Sequence, residues 1–527
     1  MTAATRLFDV LPVVAGDPRV QIVFTSTGSS AFTAGTEEFL AGHEVAVLPW
    51  REALRTRFDL AIAASYGGDL PEIKAPLLVV PHGMGYNKYL EIGNRKSEIG
   101  NRKSVFGLSS PWLLHRGELV PSIIVLSHHE QLDRLRLACP EAVGAAVVAG
   151  DPCLDRMRAS RPLRETYRQA LGANPGQRLV VLSSTWGADS LYGQNPLLVR
   201  ELAARLPFDS YRLAVALHPN IVHGHSRWLV SRWFDDCARA GVLVLPREEL
   251  WRAALVAADV TIGDHGSVTF YSAALGTPVL LAAAPAGAVD PRSPIGRLLD
   301  LAPRFDPARD AAAQLERAVA THDPAAYAPV TDLATARPGA SAAVLRRTIY
   351  RALDLPEPPH PVDERALPVP EVDTTPPHAQ LVRVALRGNG DLAATVTRYA
   401  ADALRKPPLI PAGAHLVVGT GEPATRLLDL ADIVVHDRPR DAGRWITGTL
   451  AALPGCALAT ARDEDGSWLA GTMNGRFVRF DGPRRHGALL ASVLHAWLES
   501  GRALDELPKR ITVHLAHDSF TAHATVC

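Results

Sequence analysis

The chain of 527 residues has few cysteines, no excess of charge of either sign and no long apolar segment. Its five cysteines are scattered and form no CxxC pair, which disfavours a disulfide framework or a thiolate metal centre and favours a reducing compartment. Basic and acidic residues balance at 55 each, so no overall field selects nucleic acid or a membrane surface. No apolar run reaches the roughly 18 residues that a membrane-spanning helix needs.

Several catalytic motifs are also absent. The chain has no GxSxG elbow, no HExxH pair and no GxxxxGK[ST] loop, so acyl-serine, zinc-hydrolase and P-loop chemistry have no motif behind them. The first residues, MTAATRLFDV, lack the apolar core and cleavage site of a secretory signal. We therefore expect a cytoplasmic protein that uses no bound metal or cofactor and does not bind nucleic acid.

Short apolar runs separated by helical stretches dominate the first two thirds of the chain. Continuously apolar strands of this length predict parallel sheets that are covered on both faces. The expected fold class is α/β, with two Rossmann-like, doubly wound domains that face a cleft, where ligands bind at the carboxyl ends of the strands. The predicted strands fall in two series: 20–27, 44–50, 59–65, 76–83, 122–127 and 145–152, then 178–185, 211–219, 241–246, 259–264 and 278–284.

A change of composition marks the last third. Residues 355–378 contain eight prolines, which is typical of an extended linker. We predict an N-terminal domain at 1–160, a nucleotide-donor domain at 161–354 and a small C-terminal α/β or α+β module at 379–527. In that module we expect helices near Asp391–Leu404 and Gly487–Glu499, between strands at 381–388, 415–421, 432–437, 456–463, 476–482 and 510–518.

The heptapeptide EIGNRKS occurs twice in tandem, at 91–97 and 98–104. A single repeat of seven residues is too short for a solenoid unit, and extra length in a surface loop costs little closure entropy. We interpret it as a neutral loop insertion, although its four basic side chains would suit an anionic substrate.

The stretch AADVTIGDHGSVTFYSAALGTPVLL, residues 257–281, carries the strongest chemical signal. It predicts a strand, a turn, a helix and a second strand after Gly276-Thr277-Pro278. The turn contains Asp264, Gly266, Ser267, Val268 and Thr269, and its backbone N–H groups at a helix start suit phosphate oxygens. Asp264 is better placed to cap the helix or to fix the loop than to meet a phosphate. The alternative to a phosphate site is a simple N-capped helix.

Two histidines follow predicted strands. His82, in PHGMGYNK, comes after a buried strand, and the glycines beside it let the backbone pass close to a ligand. An imidazole there is suited to take a proton from a hydroxyl, although a role in closing the strand is the alternative. His218, in LHPN, is suited to bond a phosphate, with a structural role at the strand end nearly as well supported. Ser184 and Thr185 end the first strand of the second series and add hydroxyls.

Taken together, these motifs resemble the CDP-glycerol glycerophosphotransferases, which are GT-B enzymes of teichoic-acid synthesis. The resemblance rests on His82-Gly83, on His218-Pro219 and on residues 257–279, within a region of about 20–350. It implies that His82 is the catalytic base and that His218 contacts the donor phosphates. It also implies a pyrophosphate site at Asp264, Ser267 and the helix after them, and chemistry without a bound metal.

The sequence departs from this family at several points. His265-Gly266 stands where the family commonly has Tyr-Ser, and Met-Gly-Tyr-Asn-Lys follows His82-Gly83 where Thr-Pro-Leu-Lys is usual. We therefore expect a divergent transferase that moves a glycerophosphoryl or glycosyl group from a nucleotide-diphosphate donor to a hydroxyl acceptor, such as a lipid-linked polymer. Peripheral association with a membrane would suit such an acceptor, although no amphipathic helix requires it.

Two other functions stay open at this point. One is a UDP-sugar 2-epimerase-like enzyme on the same fold, which needs cleft carboxylates, with Asp151 and Asp189 as the candidates near strand ends. The other is a nucleotide-binding protein that keeps the fold without catalysis. The sequence indicates no oligomeric state.

Overall fold

The computed structural model describes residues 2–28, 35–90, 104–245, 249–388, 391–401, 411–483 and 486–527. Within these ranges the larger sheets are two parallel ones and a closed barrel, and the predicted α/β class is confirmed. The duplicated heptapeptides lie outside the described residues except for Ser104. No helix in the described ranges is both long enough and apolar enough to cross a bilayer.

The first region surrounds a four-stranded parallel sheet. Its strand order is β1-β2-β7-β8, and the short strands β3 to β6 form two separate hairpin-like pairs. The elements are α1 (Thr2–Val10), α2 (Thr36–Gly42), α3 (Trp50–Ala53), β1 (Ala61–Ala63), β2 (Leu77–Val79), β3 (Tyr89–Leu90), β4 (Ser104–Val105), α4 (Ser110–Leu113), β5 (Leu114–His115), β6 (Glu118–Leu119), β7 (Ile123–Leu126), α5 (His129–Ala138), β8 (Ala146–Val148) and α6 (Pro152–Ala159).

The strands predicted at 20–27 and 44–50 do not form as such. The two segments meet only in an isolated parallel bridge between Phe24 and Val47. Val23 and Val47 are 37% and 55% exposed, so these runs are not covered on both faces as a central parallel strand would be.

The second region surrounds a five-stranded parallel sheet in the order β11-β10-β9-β12-β13. Its elements are α7 (Arg164–Ala170), β9 (Arg178–Ser184), α8 (Leu191–Gln194), α9 (Leu198–Arg205), β10 (Tyr211–Leu217), α10 (Pro219–His225), α11 (Arg227–Trp233), α12 (Asp235–Arg239), β11 (Leu243–Val244), α13 (Leu250–Ala257), β12 (Val260–Gly263), α14 (Ser267–Ala274), β13 (Val279–Leu281), α15 (Pro294–Leu301), α16 (Ala311–Thr321), α17 (Pro324–Thr331) and α18 (Ser341–Ala352).

The central strand β9 shows why its apolar run is continuous. Leu179 and Val181 pack into the core on one face, whereas Val180 and Leu182 pack into the core on the other. Helices therefore cover both faces of this sheet, as the sequence predicted. The last helix, α18, packs instead with the core of the first sheet.

The proline-rich segment 355–378 has no regular secondary structure, but it is fixed to the second region. Leu367 is buried, its amide donates to Ser160 Oγ at 2.9 Å, and its carbonyl accepts from the Tyr167 hydroxyl at 2.7 Å. The segment is thus an extended strap with side chains in the core rather than a free tether.

The C-terminal region is a closed nine-stranded barrel among the described residues, in the order β14-β15-β21-β22-β20-β19-β18-β17-β16. One core cluster contains most of α21, and a second cluster contains side chains of α19 and α20. The elements are β14 (Ala379–Arg387), β15 (Leu392–Ala400), β16 (Ala414–Gly419), α19 (Thr425–Asp429), β17 (Ile433–His436), α20 (Ala442–Ala452), β18 (Leu458–Arg462), β19 (Trp468–Thr472), β20 (Phe477–Asp481), α21 (Ala488–Glu499), β21 (Arg510–His514) and β22 (Ser519–Val526).

The helix predicted at Asp391–Leu404 is wrong, because residues 392–400 form strand β15. Leu392, Ala394 and Val396 are buried at alternate positions, which is the period of a strand. The strand pairs antiparallel with β14 from Gln380 opposite Ala400 onward. Alanine favours a helix, and this segment contains several, but the long antiparallel pairing overrides that local preference.

Candidate active site

One cleft is lined by residues from both the first and the second region and has a volume of about 160 Å³. His82 lies beyond the carboxyl end of β2, whereas Ser184, His218 and Ser267 lie at the carboxyl ends of β9, β10 and β12. Ligands of open parallel sheets bind at such edges. The predicted site residues that line this cleft are His82, Ser184, Thr185, His218, Gly266, Ser267 and Val268.

His82 presents a free imidazole to the cleft. It is half-buried, and within the described part of the chain its ring nitrogens form no hydrogen bond. The ring packs edge-to-face against Phe106, with centroids 5.5 Å apart. Burial and, to a smaller extent, the positive charges of Lys88 and Arg6 together lower the pKa of His82 to about 4. The ring is therefore neutral at pH 7 and has a nitrogen free to accept a proton, as a weaker base than an unperturbed histidine.

His218 is held by a bond that also sets its tautomer. Its Nδ1 accepts a hydrogen bond from the amide of Asn220 at 3.1 Å and so caps α10. Burial lowers the pKa of His218 to about 3, with smaller effects of Lys88 and His82. Because Nδ1 is the acceptor, the neutral ring carries its proton on Nε2 and has one N–H to donate. The structural role and the ability to donate to an anion therefore coexist.

Asp264 is buried outside the cleft lining and fixes the turn by hydrogen bonds. Its Oδ2 accepts hydrogen bonds from the Thr185 amide at 2.7 Å, the Thr185 hydroxyl at 2.8 Å and the Leu191 amide at 3.0 Å. The hydroxyl of Thr269 is fully buried and accepts from the Asp264 amide at 3.2 Å. Neither Asp264 nor Thr269 lines the cleft, so both hold the turn together.

Helix α14 begins at the cleft. Its N-cap residue is Gly266, which has no capping side chain, so Asp264 does not cap this helix. The first amides of a helix have no partner within the helix and carry its positive dipole end. Ser267 and Val268 line the cleft at this point. The arrangement suits an anionic group that lies against the helix start.

Lys88 is a cleft residue that the sequence reasoning did not select. Its side chain is half-buried and, within the described ranges, forms no hydrogen bond or ion pair. Burial lowers the pKa of Lys88, and the nearby charge of Asp264 partly opposes this effect. The backbone at Lys88 is fixed by an antiparallel bridge to Val289 in the second region. The signal was present in the sequence as a lysine six residues after His82 in PHGMGYNK.

The charges of the lining favour an anion. Among its described residues the cleft lining has four cationic side chains and one carboxylate, that of Asp9. Three of the cations form ion pairs, Arg6 with Asp151, Arg252 with Asp9 and Glu249, and Arg227 with Glu38, so the charge available to a ligand is mainly that of Lys88. Within the same part of the chain, no group of three or more His, Cys, Asp and Glu side chains is arranged to hold a metal. That no metal or cofactor takes part stays a prediction.

The two carboxylates considered for epimerase chemistry lie outside this lining. Asp151 is fully buried and bound to Arg6 and Tyr271, and Asp189 is exposed. Asp9 does line the cleft, but it forms ion pairs with Arg252 at 2.9 Å and Arg6 at 3.5 Å.

Comparison with known proteins gives only distant structural likenesses. No protein-family model matches the chain, and no curated protein matches it in sequence. Among solved structures it is similar to the wall teichoic acid polymerase TagF, with 12% identity, a TM-score of 0.43, and coverage of 66% of this chain and 90% of that chain. It is also similar to Anabaena HepE in complex with UDP, with 14% identity, a TM-score of 0.35, and coverage of 66% and 95%.

A third likeness is to UDP-GlcNAc 2-epimerase from Neisseria meningitidis bound to UDP-GlcNAc. The identity is 13%, the TM-score is 0.39, and the coverage is 66% of this chain and 97% of that chain. All three fall below 25% identity and a TM-score of 0.5.

Proposed function

We propose that this protein is a GT-B-like transferase that moves a glycerophosphoryl or glycosyl group from a nucleotide-diphosphate donor to a hydroxyl acceptor. One observation carries the proposal: a neutral His82 without a hydrogen bond among the described residues, from the first region, shares a cleft with Lys88 and with His218 and the start of α14 from the second region. A proton acceptor thus lies opposite groups that suit a diphosphate.

Each cleft group has a task in this reaction. His82 removes the proton from the acceptor hydroxyl as the oxygen attacks. For a glycerophosphoryl donor the acceptor oxygen forms a bond to the outer phosphorus, the phosphoanhydride bond breaks and the nucleoside monophosphate leaves. For a glycosyl donor the oxygen attacks the anomeric carbon and the nucleoside diphosphate leaves. In both cases negative charge grows on the departing phosphate.

That charge meets donors that are already in place. Lys88 supplies a cation, His218 supplies its Nε2–H, and the first amides of α14 supply the positive end of the helix. Donors and dipoles fixed before the reaction stabilise the transition state without a cost of reorganisation. Asp264 and Thr269 act in this proposal by holding the turn that carries these amides.

The test is calorimetric titration of the full chain with CDP-glycerol, UDP-glucose and UDP-N-acetylglucosamine, followed by an assay of donor turnover. His82→Ala should bind the donor with wild-type affinity and lose roughly 10²–10⁴-fold in rate. His129→Ala, at an exposed histidine of the same region, is the matched control and should keep full activity. Normal turnover by His82→Ala would refute the assignment of the base.

The remaining outcomes separate the other functions. Donor binding with no turnover under any acceptor condition would indicate a binding protein without catalysis. Conversion of a UDP-sugar to its 2-epimer would indicate the epimerase, although the carboxylates named for that chemistry are held in ion pairs or lie outside the cleft. Absence of binding to all three nucleotides would reject the proposed donor class.

A further inference from the structure

A chain of buried polar side chains runs beneath the cleft and joins its two sides. Arg6, on α1, donates from Nε to the carbonyl oxygen of Pro81 at 3.0 Å. Its guanidinium forms an ion pair with Asp151, Nη2 to Oδ2, at 3.1 Å. The hydroxyl of Tyr271 donates to the same carboxylate oxygen at 2.8 Å. Arg6, Asp151 and Tyr271 are only 4%, 0% and 2% exposed.

The two ends of this chain are the two sides of the candidate site. Pro81 directly precedes His82, so the bond from Arg6 fixes the backbone next to the proposed base. Tyr271 follows Ser267 by four residues on α14, and side chains four apart lie on the same helical face. Asp151 is also the N-cap of α6 and accepts from the Leu154 amide at 3.1 Å, which restrains the carboxylate in the middle.

Stability alone gives a weak reason for such a network. The cost of removing two charges from water offsets much of their attraction, and well-packed apolar side chains often stabilise a fold at least as well. Arg6 could be replaced by an apolar side chain of similar size if only packing mattered. What the charged chain adds is a fixed geometry, because each hydrogen bond restricts both the distance and the direction of its partners.

We propose that Arg6 is a positioning residue, which holds the backbone beside His82 and, through Asp151 and Tyr271, sets its distance from the start of α14. This inference rests on the proposed function, since it assigns His82 and α14 to the reaction. It explains why a helix far from both sheets in sequence contributes Arg6 to the cleft.

The charge of Arg6 gives this role a separate signature. The charged groups that act on His82 are Lys88 and Arg6, and both oppose its protonation. Loss of Arg6 should therefore raise the pKa of His82. A general loosening of the fold would expose the ring to water and raise this pKa as well, so the melting temperature and a control variant that loosens the fold elsewhere are needed to separate the two causes. Loss of the Tyr271 hydroxyl changes no charge at neutral pH and should affect position alone.

The experiment compares Arg6→Met, Tyr271→Phe and the control Arg168→Met in the full-length protein. Arg168 also forms a buried ion pair, with Asp259 at 2.7 Å, but it lies outside the cleft lining. His82 is titrated by NMR with carbon-13-labelled histidine, and its signal is assigned by its absence in His82→Gln. Donor turnover and melting temperature are measured on the same samples.

We expect Arg6→Met to shift the His82 midpoint upward, and both cleft variants to lose about 10²-fold in kcat/KM, the effect of a small misplacement of reacting groups. Arg168→Met should lower the melting temperature and leave the His82 midpoint and kcat/KM unchanged. If Arg6→Met does not fold, Tyr271→Phe still tests the network through kcat/KM. An unmoved His82 midpoint in Arg6→Met, or full activity in Tyr271→Phe, overturns the inference. Absence of turnover in the wild type rejects the proposed function instead, and the titration still reports on Arg6.

Discussion

The amide of Met84 donates a hydrogen bond to the hydroxyl of Ser267, 3.2 Å away, and so joins the loop after His82 to the first residue of α14. The same loop continues across the cleft, where the Asp290 amide donates to the Asn87 carbonyl at 2.8 Å. The two sides are therefore in direct contact in this structure. A serine hydroxyl that accepts one bond keeps its own proton, so Ser267 has a hydrogen bond left to donate to a phosphate.

Gly83 makes this contact possible, and its replacement should disturb it. A Cβ at Gly83 would lie 2.6 Å from Ser267 Oγ, so the serine or the loop must move. We expect Gly83→Ala to weaken donor binding about tenfold, the loss of one or two hydrogen bonds, with a further loss in turnover. Gly144→Ala is the control, since a Cβ there meets nothing within 4 Å. Equal affinity of the two variants, measured by calorimetry, would contradict a closed cleft as the binding form.

The sequence predicted the sheets well where apolar runs are buried on both faces. The run at 178–185 became β9 because its alternate residues pack into two different cores. The runs near 24 and 47 are also apolar but lie partly exposed, and an apolar run does not by itself show how many of its faces will be covered. Composition also misled at 392–400, where a pairing partner supplied by β14 decided the conformation.

The candidate site was predictable only where a residue follows a strand. Three predicted residues come after strands and line the cleft: His82, His218 and Ser267. Lys88 and Arg6 do not follow a strand: one belongs to a loop that pairs with Val289, and the other belongs to α1. Their places depend on contacts between segments that are distant in sequence, and no local pattern encodes those contacts.

Replacement of Lys88 by an apolar residue should weaken ligand binding and increase the stability of the fold. A half-buried ammonium without a partner among the described residues costs free energy of folding, and its lowered pKa reflects that cost. Lys88→Met should raise the melting temperature and weaken nucleotide binding roughly 10–100-fold, the loss of a bond to a charged group. Lys509→Met removes an exposed lysine and should change neither. If Lys88→Met bound CDP-glycerol and UDP-sugars as the wild type does, the lysine would have no part in the site.

The pH dependence of turnover should show that the catalytic base has an unusually low pKa. His82 acts only when neutral, and burial together with Lys88 and Arg6 lowers its pKa to about 4. The acidic limb of kcat/KM, which follows the free enzyme, should thus fall near pH 4 and not near the usual histidine value of about 6.5. His82→Gln should lack this limb. Rates are to be measured where circular dichroism shows the fold intact, and a limb centred near 6.5 would contradict the burial of the base.

The barrel contains a second pH-sensitive site, far from the cleft in sequence. The rings of His415 on β16 and His495 on α21 lie 4.5 Å apart, and Nε2 of His415 is buried without a hydrogen-bond partner among the described residues. Burial and a smaller effect of His495 together lower the pKa of His415 to about 3, and burial lowers the pKa of His495 as well.

Because an unfolded histidine titrates near pH 6.5, the unfolded chain binds more protons than the folded barrel between about pH 6.5 and pH 3. The uncharged, buried His415 therefore costs no stability above pH 6.5. As the pH falls through that window, the free energy of unfolding decreases by on the order of 1 kcal/mol per pH unit because of His415. His415→Leu should therefore flatten the acidic side of a urea-unfolding profile, whereas His523→Gln, at an exposed position on β22, should leave it steep. An equally steep loss of unfolding free energy in His415→Leu would show that other groups govern the acid sensitivity.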